Sequence, residues 1–115
     1  MGLKAVSVDF RSFLLGQAAV TDVIGEEIYP FMAMEGKSFP IATYRVQQTP
    51  LSQSGDSYDI ALFCWFQTYD ECTEFTDTLT DIFKSSNAYE WKLSDLDYDP
   101  ELKLFNGIIN ITTIT

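Results

Sequence analysis

Histidine is absent from the 115 residues. That removes the commonest general base, the usual histidine-containing triads and the commonest zinc ligand together. Basic residues are also scarce: seven Lys and Arg stand against seventeen Asp and Glu, giving a formal charge of −10 and a pI near 4.1. A nucleic-acid-binding footprint needs a basic patch, and adhesion to an anionic membrane needs the same, so both are disfavoured. No apolar run approaches the ~18 residues of a membrane-spanning helix. The N-terminus reads without a signal-peptide pattern, and Val6 stands where a myristoylation signal needs Ser or Thr. The expectation is a cytosolic protein. Its two cysteines, Cys64 and Cys72, fall on an apolar strand and an apolar helix stripe. They read as buried free thiols rather than a disulfide or a metal pair.

What is abundant is aromatic. Phe, Trp and Tyr make up 15% of the chain, more than a small core strictly needs, which points to subunit contacts as well. The length gives one domain over residues 1–115, able to bury roughly two-thirds of its unfolded surface.

The chain is organised around Ser57 to Asn87. Tyr58, Ile60, Leu62, Cys64 and Phe66 alternate with Asp59, Ala61, Phe63 and Trp65, and only Asp59 breaks the apolar character of the two sets. Such a strand is central and covered on both faces, the second cover being a helix of the same chain or another subunit. Thr68 then reads as a helix N-cap with Glu71 completing a capping box, and Cys72, Phe75, Leu79, Ile82 and Phe83 form the buried stripe. Lys84 lies in the last turn and Asn87 reads as a left-handed cap.

The opposite face of that helix carries Asp70, Glu74, Asp77 and Asp81 at helical spacing, an acidic ridge. Like charges so placed destabilise a helix by roughly 0.2–0.5 kcal/mol per pair. The ridge is either a solvated face or a surface turned toward a polyanion that must not stick, or toward a basic partner.

Elsewhere, Leu3 to Gln17 reads as a first helix and Ala18 to Ile24 as a short second one stopped by Gly25. Ile28 to Phe31 reads as a brief edge strand, because it holds Pro30. Pro40 to Gln48 is a second strand, with Ile41 and Thr43 on one side and Ala42, Tyr44 and Val46 on the other. Thr49 to Asp56 is a polar hairpin loop. Tyr89 to Leu93 and Leu102 to Thr115 are the last strands, with Gly107 as a bulge. The predicted class is α+β: an antiparallel or mixed sheet of about five strands with helices packed on one face.

Asp95, Asp97 and Asp99 are spaced like the start of a calcium-binding loop, but Pro100 and Asn106 occupy the positions that need Gly and a bidentate Glu. They read as an acidic turn between two strands. Asn110-Ile111-Thr112 matches a glycosylation acceptor by coincidence, inside a predicted strand. The loop Met32 to Phe39 is either a partner-binding loop or a segment folded back on the core. No catalytic residue, cofactor site or metal site is expected.

Several segments, taken in order, resemble the small phage and prophage tail completion proteins, similar to the lambda tail terminator. Leu14 to Pro30 (LLGQAAVTDVIGEEIYP) resembles their opening, the most specific feature being Gly25 followed by Ile28-Tyr29-Pro30. Pro40 to Pro50 resembles their P-Y-I-V-Y strand, with a departure at Ala42. Asp59 through the Phe75–Phe83 helix resembles their strand-then-helix centre, and Phe105 to Ile114 their closing strand.

The resemblance implies a subunit of a homo-hexameric ring that caps the tail tube, stops its growth, meets the head connector and lets DNA pass. It implies location in the host cytoplasm during assembly and in the tail or neck of the virion afterwards. Channel-facing candidates are then Asp70, Glu74, Asp77 and Asp81, or Asp95, Asp97 and Asp99, since a channel for DNA should repel phosphates. Candidate assembly contacts are Phe31, Met32, Met34, Phe39, Gln53 and Asp56. The expected partners are the chain itself, a tail tube protein and a head connector protein, with no tight nucleic-acid binding and no membrane. The alternative is an acidic inhibitor that mimics DNA and blocks a nucleic-acid enzyme; a small hydrolase ranks third.

Overall fold

The strand expected at the centre is there. In the computed structural model, which describes residues 2–32, 38–51 and 55–114, β3 (Asp56–Phe66) is the middle strand of a five-stranded sheet ordered β1-β2-β3-β5-β4. The chain runs α1 (Leu3–Leu15), α2 (Ala18–Ile24), β1 (Ile28–Pro30), β2 (Ile41–Pro50), β3, α3 (Tyr69–Lys84), β4 (Glu90–Asp99) and β5 (Leu104–Ile114). β1 pairs with β2 in parallel and every other pairing is antiparallel, so the sheet is mixed. The α+β reading stands, with three helices and a single hydrophobic core among the described residues. Among the described residues no helix is long and apolar enough to cross a membrane.

The core forms between one face of the sheet and the helices. Tyr58, Ile60, Leu62, Cys64 and Phe66 of β3 all point into it, as do Ala42 and Tyr44 of β2 and Ile109 and Ile111 of β5. Helix α1 adds Val6, Phe10 and Leu14, spaced four apart on one stripe. Helix α2 adds Val20 and Ile24, and ends at Gly25, whose φ of 61° and ψ of −132° suit a residue without a Cβ. Arg11 of α1 then holds the approach to β1, donating from Nε to the Ile28 carbonyl at 3.0 Å and from its terminal nitrogen to that of Glu26 at 3.2 Å. Rings close the end of the core: Phe10 meets Tyr44 edge-on at 5.2 Å, and Phe13 stacks on Phe83 at 5.7 Å.

Helix α3 begins as its sequence requires. The Thr68 hydroxyl oxygen accepts from the Glu71 amide at 3.3 Å and donates to the Glu71 carboxylate at 2.9 Å. Its buried face is Cys72, Phe75, Thr76, Leu79 and Phe83.

Four expectations are corrected. Asn87 is not a left-handed cap: α3 stops at Lys84 with Ser85 in a right-handed conformation, and the Ser86 hydroxyl takes the amides of Ala88 and Tyr89. Gly107 is not a bulge. It pairs in register with Cys64 and Leu96, and the register shift lies on β4 between Trp91 and Leu93. Asp95 to Asp99 is not a turn but the second half of β4, tolerated there because β4 is an edge strand; the turn follows at Pro100 to Lys103. Finally, β2 continues through Thr49 and Pro50, which pair with Ser57 and Asp56, so the hairpin loop is shorter than the composition implied.

Candidate functional site

The acidic ridge is a real surface. Asp70, Glu74, Asp77 and Asp81 are all exposed on the side of α3 that turns away from the sheet. Among the described residues none has an ion-pair partner, and Lys84, one turn beyond Asp81, sits over the Trp91 ring at 4.8 Å. On the same helix the hydroxyls of Thr73, Thr76, Thr78 and Thr80 donate to the carbonyls four residues back at 2.7–3.0 Å.

The second acidic set lies elsewhere. Leu96 and Tyr98 share the helix-side face with the ring of Phe105, which stands 4.8 Å from that of Tyr98. Asp95, Asp97 and Asp99 alternate with them and belong to the other face of the sheet. The two acidic sets are therefore not brought together. The ridge crowns the helical layer, whereas the β4 aspartates flank the opposite side. Their carboxylates are also occupied: Asp95 Oδ1 accepts from the Leu96 amide and Asp97 Oδ1 from the Tyr98 amide, both at 2.8 Å. Asp99 Oδ1 takes the amides of Glu101 and Leu102 at 2.9 and 3.1 Å, closing the turn.

No described helix covers that other face. Its centre is Ile41 and Thr43 from β2, Phe63 and Trp65 from β3 and Ile108 from β5, cross-strand neighbours in register. Trp65 Nε1 donates to the Thr43 hydroxyl at 3.3 Å. Phe63, Trp65 and Ile108 are half-buried there, so of the two covers expected for β3 the chain's own helices supply one. On the same face Asn106, opposite Asp97, is 8% exposed, and its Oδ1 accepts no hydrogen bond among the described residues.

Of the assembly candidates, Phe31 and Met32 are 74% and 76% exposed, Phe39 is half-buried, and Met34 and Gln53 lie outside the described residues. Asp56 is half-buried and accepts from Gln48 Nε2 at 2.7 Å. Phe31 and Asp56 share one open cleft of about 630 Å³, with Leu3, Arg45, Val46 and Pro50 along its walls. Sequence reasoning missed a further surface at the other end of the sheet. There Tyr69 and Phe105 meet edge-on at 5.8 Å, and with Leu96 and Tyr98 they line a groove of about 270 Å³. The signal was present as apolar residues alternating with the β4 aspartates.

Cys64 and Cys72 are buried and free. Burial pushes both thiols up, with the neighbouring Cys72 adding to the effect at Cys64 and a hydrogen bond with Thr76 partly opposing it at Cys72. They hold their protons at neutral pH and are poor nucleophiles. Tyr89 is likewise pushed up, by burial first and by the charge of Asp9 second.

No protein-family model matches the sequence, and no curated protein matches it. Among solved structures, a chain described as from the "Virion of native gene transfer agent (GTA) particle" has the same fold, with a TM-score of 0.68 at 8% sequence identity. The superposition covers 90% of this chain and 88% of that one.

Proposed function

We propose that this chain is a structural virion protein, a tail completion subunit that forms a ring on the end of a tail tube and joins it to the head connector. The observation that carries the reading is the fold shared with a virion chain over 90% of one and 88% of the other. The ordered resemblance of the segments supports the same class, above all Gly25 leading into Ile28-Tyr29-Pro30, which here is the turn into the parallel edge strand β1. The half-buried sheet face around Phe63, Trp65 and Ile108, which no described helix covers, and the exposed Phe31 and Met32 are the surfaces from which self-assembly, with a hexamer expected, and contacts to the tube are built.

The role is passive: the protein positions other proteins and lets DNA through without gripping it. No cofactor or membrane takes part. Between the two acidic sets we assign the channel to Asp70, Glu74, Asp77 and Asp81. Their carboxylates lack ion-pair partners among the described residues, while those of Asp95, Asp97 and Asp99 are engaged by backbone amides. A DNA-mimicking inhibitor remains the second reading, favoured by this same ridge of regularly spaced carboxylates.

Deleting the gene from a strain that makes the corresponding particle tests the proposal. Unjoined heads and tails of unregulated length are expected under the electron microscope. Normal particles would overturn the virion role, and binding of the pure protein to a nucleic-acid enzyme would favour the mimic.

A further inference from the structure

The free edge of β4 combines three features that belong together. Its outward amides at Leu96 and Tyr98 are each capped by the carboxylate of the preceding aspartate, at 2.8 Å. Beside them, on the helix side, lies the groove of Tyr69, Leu96, Tyr98 and Phe105, with Tyr69 and Tyr98 55% and 45% exposed. On the other face Asn106 Oδ1, in a side chain only 8% exposed, accepts nothing among the described residues. A capped edge resists casual strand pairing. The same caps are displaceable by any strand that offers a carbonyl to each amide and a cation to each released carboxylate.

We infer that β4 is a docking edge for an extended segment of another protein in which basic residues alternate with apolar ones. Strand addition sets the alternation: one set of side chains falls beside Asp95 and Asp97, and the next set falls over the aromatic groove. The first set must be cationic and the second apolar. Its carbonyls take over the Leu96 and Tyr98 amides, and its lysines or arginines take over the carboxylates.

A second copy of this chain does not fit. Pairing β4 with β4 in a register centred on Asp95 to Asp99 sets aspartates against aspartates at cross-strand distance, which is destabilising. The only other long strand edge described is the part of β2 beyond β1, Arg45 to Pro50, and it carries one cation. The inference stands on the edge, the groove and the charge, and does not depend on the virion reading.

The probe is the peptide acetyl-Lys-Val-Lys-Val-Lys-Val-Lys-amide, titrated calorimetrically, with amide exchange followed by NMR. It is expected to bind at least tenfold more tightly than the same peptide with Glu for Lys, and to slow exchange at Leu96 and Tyr98. The double variant Asp95→Asn and Asp97→Asn keeps acceptors for both amides but should abolish the preference for lysine. A probe N-methylated at every valine keeps its charge yet should lose binding or protection. Equal binding of the Lys and Glu peptides, undiminished binding of the methylated one, or protection confined to other amides would overturn the inference.

Discussion

Gly107 and Thr76 touch across the sheet–helix interface: a Cβ on Gly107 would overlap the Thr76 hydroxyl oxygen and stand 3.4 Å from Thr76 Cβ and 3.5 Å from Cys72 Sγ. The hydroxyl is held in place by its bond to the Cys72 carbonyl at 2.7 Å. Gly107→Ala should therefore destabilise the fold by about 1–3 kcal/mol, the usual cost of overpacking a filled core. Thr76→Ala removes the obstructing oxygen. In that background the glycine substitution should cost much less, and a double-mutant cycle by denaturant unfolding reads the difference as a coupling energy. Additive costs would mean that the helix does not approach here as described.

This contact also marks the limit of what the sequence says. Gly107 inside a strand pattern signals either a bulge or a close approach. Only the position of α3 decides between them, and that position is a tertiary fact. The second half of β4 was hidden for a related reason. Aspartate is a poor strand former, so Asp95, Asp97 and Asp99 read as a turn; the edge position and pairing with β5 override the propensity. By contrast, the Thr68–Glu71 cap, the stripe from Cys72 to Phe83 and the alternation in β3 were legible, because each is a local pattern with one physical reading. The alternation also carried the second apolar face: Ala61, Phe63 and Trp65 are too apolar for a solvated side, and they are half-buried. The groove and the cleft were not legible, since Tyr69 meets Phe105, and Phe31 comes to share a cleft with Asp56, only through the fold.

The N-cap gives a second prediction. Thr68→Ala removes the acceptor of the Glu71 amide and should cost about 1 kcal/mol, within the usual range for caps. Thr68→Ser or Thr68→Asp should restore most of it. Urea unfolding midpoints at constant slope are the measurement, and an alanine variant as stable as the parent would show that the cap bond contributes nothing.

On the proposed channel placement, the ridge sets stability against function. Asp77 faces Glu74 and Asp81 at the spacings where like charges repel, so Asp77→Lys turns two repulsions into two attractions. It should stabilise the fold by about 1 kcal/mol at low salt, fading as screening increases. On that proposed placement, particles assembled with the variant should nevertheless release DNA more slowly, because a cation would then face the phosphates. Faster or unchanged release would place the ridge away from the channel.

The buried acids predict alkaline sensitivity. Cys64, Cys72 and Tyr89 all have pKa values raised in the folded state, so the folded chain retains protons that the unfolded chain releases. Their contribution is complete below the unfolded values. It is lost as pH rises through the ordinary thiol range near 8.5 and the tyrosine range near 10 toward the raised folded values. Stability should be flat in these groups at pH 6–8 and fall from about pH 9 upward. Cys64→Ala should lower stability at neutral pH and flatten the alkaline decline, as read from urea unfolding across the pH series. Unaltered steepness would mean that the Cys64 thiol ionises alike in both states.

Phe31 supplies the last prediction. It holds a φ of 65°, a conformation that costs a bulky residue about 1–2 kcal/mol, yet its ring is 74% exposed and does little for the core. The backbone here is fixed from outside: the Phe31 amide donates to the Tyr44 carbonyl at 2.8 Å as the chain leaves β1. Phe31→Gly relieves the strain but adds freedom to the unfolded chain, so stability should hold steady or rise by no more than about 1 kcal/mol. On the proposed ring, assembly should suffer, because Phe31 lines the cleft with Leu3 and Pro50, where a neighbouring subunit or the tube would bury it. Thermal unfolding and light scattering on the same samples separate the two effects. A variant that is folded, as stable as the parent and undiminished in assembly would remove Phe31 from the contact surface.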